Sequence, residues 1–191
     1  MKNYAVFLDR DGTLNEDPGY LGDPEKVKLL PGTGKALFRL KNELKFKLIV
    51  VSNQSGIARG LITKGDVDAV NNKINEILSG SNVSIDRFYY CPFHPDFSTA
   101  EESKCRKPSV KMVLKAVEDF EIDLSDSYFI GDSAVDIQCG HNAGVKTILL
   151  KSDHSKDQIY ALKKENILPT FVAVNLEEAC NIIQKDFNGE K

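Results

Sequence analysis

Two carboxylates, Asp9 and Asp11, stand on either side of Arg10 where the apolar run of YAVFLDRDGTLNED ends. Carboxylates so placed can attack an electrophile, trade a proton or hold a hard cation. They are also ordinary turn chemistry, since Asp11-Gly12 suits a tight turn. What decides between these readings is the company they keep. Further along the chain lie SNQSG from Ser52, the cations Arg106 and Lys107 before Pro108, and GDSAVD from Gly131, with Asp132 and Asp136 four residues apart. Hydroxyl, amide and ammonium groups can stabilise an anion, and the carboxylates can receive a cation.

These residues act together only if the fold gathers them. Short β-branched or aromatic runs at Tyr4–Leu8, Lys47–Ser52, Arg87–Cys91, Tyr128–Gly131, Val145–Leu149 and Phe171–Val174 alternate with amphipathic stretches. The clearest helical stripe carries Val110, Val113, Leu114 and Val117; a second carries Ala36, Leu37, Leu40 and Leu44. Alternation predicts an α/β fold, and near-continuous apolar strands predict a mostly parallel sheet with helices on both faces. In such sheets ligands gather beyond the carboxyl ends of the strands, which is where DRDGT, SNQSG and GDSAVD fall. Pro108 suits a place at or near the first turn of the helix that follows Arg106 and Lys107.

Composition narrows the setting. With 191 residues, 41% apolar and 28% charged, one domain spanning 1–191 is expected. A net charge of −3 provides no electrostatic footprint for nucleic acid, so any anion site must be local. The first apolar run stops at Asp9, too soon for a signal-peptide core, and no later run approaches bilayer length. The expectation is a cytoplasmic monomer that binds neither nucleic acid nor membrane. Cys91, Cys105, Cys139 and Cys180 have no disulfide-framework spacing and read as free thiols. His141 and His154 lack a paired nucleophile or ligand spacing, and the C-terminal DFNGEK reads as a fraying polar end.

The ordered series D-x-D-G-T, S-N, K-P and G-D-x-x-x-D resembles the haloacid dehalogenase (HAD) superfamily of aspartate-nucleophile phosphotransferases, over nearly the whole chain. Within it, FLDRDGTLN, VVSNQSGIARG, YYCPFHP and CRKP are similar to the branch of heptose bisphosphate and histidinol phosphatases. The resemblance implies a HAD-like Rossmannoid three-layer sandwich. No insertion is long enough for a large cap domain. The implied activity is hydrolysis of a sugar phosphate, with heptose 1,7-bisphosphate cleaved at its 7-position as the leading substrate. Histidinol phosphate, or a catalytically silent binding module on the same scaffold, is the alternative.

Phosphoryl transfer needs an in-line nucleophile, charge neutralisation and a proton for the leaving oxygen. Asp9 suits the nucleophile and Asp11 the general acid and base, although neighbouring Asp9 and Asp132 would disfavour a charged Asp11. Lys107 would neutralise the transferring phosphoryl group, with the Ser52 hydroxyl and Asn53 amide opposite. Backbone N–H groups of Gly12 and Thr13 would approach the phosphate. By resemblance, Mg²⁺ is held by Asp9, by the Asp11 carbonyl and by Asp132, while Asp136 orients a metal-bound water or Lys107. Substrate recognition falls, also by resemblance, to Asp17, Pro18, Gly19 and Tyr20, to Ser52, Asn53, Gln54 and Ser55, and to Arg106.

Relatives in this branch commonly hold a structural Zn²⁺ with a Cys-x-His pair and a later Cys-x-Cys pair. Here the matching positions are Cys91 and Phe93, then Ser103 and Cys105, so two of four expected ligands are replaced and zinc binding is not expected.

Overall fold

A computed structural model describes residues 2–153 and 155–189. The expectations for His154 and for the last two residues of DFNGEK lie outside the described residues. Six strands form the sheet: β1 (Ala5–Leu8), β2 (Lys47–Asn53), β3 (Arg87–Cys91), β4 (Tyr128–Gly131), β5 (Lys146–Leu150) and β6 (Phe171–Ala173). Between and after them run α1 (Thr33–Phe38), α2 (Lys64–Ser79), α3 (Ala100–Ser103), α4 (Lys111–Phe120), α5 (Ala134–Ala143), α6 (Ser155–Lys164) and α7 (Leu176–Phe187). The strand order is β3-β2-β1-β4-β5-β6, and every pairing is parallel. The chain thus winds outward from β1 to β3, then returns to build β4, β5 and β6 on the other side of β1. That reversal opens a crevice between β1 and β4 at the carboxyl ends of the strands.

Strand alternation sorts the core into two faces. Val6, Leu8, Leu48, Val50, Tyr128 and Ile130 pack against α1, α2 and α7. Ala5, Phe7, Ile49, Val51 and Phe129 pack against α4 and against Cys139 of α5. Leu149 meets α5 and α6 through Ile137 and Leu162. The central strands β2, β1, β4 and β5 are buried on both sides, as a parallel sheet between two helical layers requires, while the edge strands β3 and β6 are partly exposed.

Three expectations need correction. In α4 the buried face is Met112, Val113 and Ala116, while Leu114 is half exposed. Leu114 lies one residue, about 100° of helical rotation, beyond the packed stripe. Pro108 lies two residues before the N-cap Val110, near the first turn of this helix as expected. Cys91 and Cys105 are not free thiols but form a disulfide, Cα atoms 5.5 Å apart across 14 residues of sequence. Cys139 and Cys180 are free and buried, as expected. Finally, the start of DFNGEK is anchored: Asp186 pairs with Lys146 at 2.6 Å and accepts from the Tyr128 hydroxyl, and Phe187 packs edge-on against Phe46.

Candidate active site

The Asp9 N–H donates to the Ile130 carbonyl at 3.0 Å, carrying the β1–β4 pairing to the lip of the crevice. Lys107 reaches the same place from a segment nearly a hundred residues away. Its Nζ lies 2.7 Å from Asp9 Oδ1, 2.7 Å from the Val51 carbonyl and 2.6 Å from Asp136 Oδ1, and the residue is 3% exposed. Asn53, at the end of β2, pins the lysine's backbone by accepting from its N–H at 2.9 Å. Asp136 in turn accepts from the backbone N–H of Ser133, the N-cap of α5, and from its hydroxyl, forming a capping box. Gly131 leaves room for this: a Cβ there would meet Asp136 Cβ at 2.3 Å.

Asp9, Asp132 and Asp136 bring oxygens within 4.8 Å of one another, and Lys107 contributes one positive charge to the three. Burial pushes the Asp9 carboxyl up to about 7; Lys107 opposes this, but the charge of Asp136 adds to the rise. Asp132 is pushed up to about 6, first by burial and then by Asp136. Burial by itself would lower Lys107, yet Asp136 and Asp9 more than offset it and hold the ammonium well above its ordinary value. The site therefore carries excess negative charge in a low-dielectric pocket, which a divalent cation on oxygen ligands would relieve. Lys107 occupies Asp9 Oδ1 and Asp136 Oδ1, and Ser133 occupies Asp136 Oδ2. The residues placed to take a cation are thus Asp9, through its other oxygen, and Asp132.

Asp11 has different surroundings from those expected. Arg10, 1% exposed, donates from Nε and Nη2 to the Asp11 carboxylate at 2.8–3.1 Å. Asn15 Nδ2 and Gln54 Nε2 each add a donor at 2.9 Å. A buried positive charge, absent from the sequence-based account of this site, thus opposes the negative neighbours. Gly12 also differs: its N–H donates to the Asn15 carbonyl at 2.8 Å, and the Thr13 N–H is directed at the Arg10 carbonyl at 3.4 Å, so these amides serve the turn. Gly12 is needed for another reason. It has φ +79°, and a Cβ there would lie 2.4 Å from Asp132 Oδ2.

Asp9, Asp11, Lys107, Asp132 and Asp136 line one cleft of about 460 Å³. Residues 104–179 match the HAD-hydrolase-like family. The chain is 40% identical over 184 residues to the D-glycero-D-manno-heptose-1,7-bisphosphate 7-phosphatase of Chlorobaculum tepidum, covering 92% of this chain and 91% of that one. It is 40% identical over 149 residues to the D-glycero-beta-D-manno-heptose-1,7-bisphosphate 7-phosphatase of Escherichia coli K12, covering 76% and 78%. The chain belongs to the haloacid dehalogenase superfamily of phosphatases. Among solved structures, the D,D-heptose 1,7-bisphosphate phosphatase of B. bronchiseptica, complexed with magnesium and phosphate, superimposes with a TM-score of 0.82 at 26% identity, covering 96% of this chain and 99% of that one.

In this HAD phosphatase the remaining loops complete the cleft wall. Asp17, Gly19, Tyr20, Ser52, Asn53, Gln54, Ser55 and Arg106 line it, and Pro18 is exposed within the same turn. Asp17 Oδ1 accepts from the Gly19 N–H at 2.8 Å, shaping that turn. Gln54 is 5% exposed and its amide spans Asp11 and Ser52 Oγ, while Asn53 is spent on the Lys107 backbone. Both therefore orient the machinery from positions the sequence assigned to substrate. Arg106 has a buried Nη1 without a partner among the described residues; burial and the nearby Arg59 charge lower its guanidinium, a setting that an anion relieves. Sequence reasoning missed Arg10, Asn15 and the wall residue Val135. An arginine set between two carboxylates straight after a buried strand was the available signal.

The segment between β3 and Lys107 is closed by the Cys91–Cys105 bond. Phe93 packs into the same apolar cluster, and His94 Nε2 lies 3.1 Å from Arg59 Nη2. His94 Nδ1 accepts from the Asp96 N–H at 3.2 Å and lies 3.5 Å from the Asp96 carboxylate. The Arg59 guanidinium also stacks over Phe97 at 4.6 Å.

Proposed function

We propose that this phosphatase hydrolyses the 7-phosphate of a heptose 1,7-bisphosphate through an aspartyl-phosphate on Asp9. The observation that carries the chemistry is the bridging of Asp9 and Asp136 by the buried Lys107 ammonium at the β1–β4 crevice. An ammonium on one lone pair orients the nucleophilic oxygen and leaves it able to attack, and the same ammonium lies beside the phosphoryl oxygens as their charge redistributes. In the first step an Asp9 oxygen bonds to phosphorus, the bond to the sugar oxygen breaks, and Asp11 delivers a proton to that oxygen. In the second, water attacks phosphorus, its proton passes to Asp11, and the bond to Asp9 breaks. Removing Lys107 from this arrangement costs about 3 kcal/mol of transition-state stabilisation.

Asp9, Asp132 and the Asp11 carbonyl are the groups that would hold Mg²⁺. Bound there, the ion supplies charge neutralisation to the phosphoryl oxygens.

Arg106 supports the bisphosphate. Its planar fork suits a second phosphate or sugar oxygens, whereas a cationic amine would be repelled by it. The name and coverage of the Chlorobaculum tepidum relative support the same substrate. The test is a comparison of kcat/KM for heptose 1,7-bisphosphate and histidinol phosphate at one magnesium concentration, with Asp9→Asn as control. The bisphosphate should be preferred and Asp9→Asn should be inactive but folded. A preference for histidinol phosphate would reverse the substrate assignment and leave the mechanism standing.

A further inference from the structure

Arg10 is the largest of the fully buried side chains among the described residues. Burying a guanidinium is costly, and an apolar side chain of similar volume often serves stability as well or better, so its presence calls for a function. Its contacts are directed. Nε and Nη2 form a fork on the Asp11 carboxylate, and Nη1 donates to Asn71 Oδ1 at 3.2 Å. Asn71 is itself buried, on the face of α2 that otherwise carries Val67, Val70, Ile74 and Leu78. The guanidinium is therefore anchored at one end to a core helix and at the other to a side chain lining the cleft. Asn15 and Gln54 close the remaining sides, giving both Asp11 oxygens donors that resist rotation about the Asp11 side chain.

We infer that Arg10 is a positioning residue, which fixes the Asp11 carboxyl group against the leaving oxygen of the substrate through the Asn71–Arg10–Asp11 chain. This rests on the proton-transfer role proposed for Asp11. Lysine cannot reproduce it in full, because a point charge lacks the planar two-point contact that sets orientation.

The consequence depends on the leaving group. An alkoxide needs Asp11's proton as it departs; a nitrophenolate departs without one. Single-turnover rates with magnesium present should therefore separate an alkyl phosphate from p-nitrophenyl phosphate. Arg10→Gln should slow the first turnover of the alkyl ester ~100-fold, the low end of a general acid's contribution, and change that of the nitrophenyl ester little. Arg10→Lys should recover part of the loss. In an Asp11→Asn background, Arg10→Gln should add nothing, since the two act as one unit. That double variant also removes the buried guanidinium together with its carboxylate partner, so it carries the test if Arg10→Gln alone does not fold. Equal losses for the two esters, or full additivity in the double variant, would overturn the inference. If turnover instead survives Asp9→Asn, the proposed mechanism fails, and the inference with it; Asp9 dependence with equal ester losses removes only the role of Arg10.

Discussion

Gly12 and Asp132 are in such close register that a single methyl group on Gly12 would lie 2.4 Å from Asp132 Oδ2. One residue comes from the turn after β1, the other from the end of β4, so a glycine in one segment sets where a carboxylate of another can stand. The glycine also has φ +79°, which an L side chain adopts with strain.

Gly12→Ala is therefore expected to displace Asp132 and to destabilise the protein by about 1–3 kcal/mol, the usual cost of one strained backbone position. Magnesium affinity measured by titration calorimetry should fall along with kcat. A variant that melts normally and binds magnesium as the parent does would show that Asp132 has room the structure does not assign to it.

The raised carboxyls make a prediction about pH. Asp9 at about 7 and Asp132 at about 6 both lie above the ordinary carboxylate value of 3.8. In the unfolded chain both ionise near their ordinary values, so the metal-free fold is favoured below about pH 4 and loses that contribution as pH rises toward 7. Magnesium competes with those protons, and its affinity should rise over the same interval. Differential scanning calorimetry of chelator-treated protein should show Tm falling from pH 5 to pH 7.5, with magnesium restoring it most at the higher pH. Asp9→Asn should flatten the slope. A metal-free Tm that climbs steadily through this window would contradict the assignment.

The Cys91–Cys105 bond predicts a thiol count. Under denaturing, non-reducing conditions a thiol reagent should titrate two cysteines, Cys139 and Cys180, and after reduction all four. Purified protein should also carry no stoichiometric zinc, since Phe93 and Ser103 stand at two of the expected ligand positions. Four reactive thiols before reduction, together with one zinc per chain, would show these sulfurs serving a metal.

Much of the site was legible because it is written in short, local patterns. DRDGT, SNQSG, RKP and GDSAVD each sit within a few residues of a strand end or a helix start, and strand alternation is a local property that burial preserves. The six strands appear where those patterns place them, within a residue or so at each end. From such patterns one can infer that Asp9, Lys107, Asp132 and Asp136 reach one edge of a parallel sheet. Pairwise contacts between distant segments have no such signature. That Arg10 faces Asp11 and not solvent depends on α2 presenting Asn71 to it from 61 residues away. The closing of Cys91 on Cys105 depends on the path from β3 to Lys107. Half-buried Asn53 and buried Gln54 turn toward Lys107 and Asp11 because amides withdrawn from water must satisfy their hydrogen bonds where partners lie. The sequence by itself determined the elements and the chemical groups at their ends; the tertiary structure decided which of those groups meet substrate and which hold the others in place, because that choice is made by packing and charge compensation across segments.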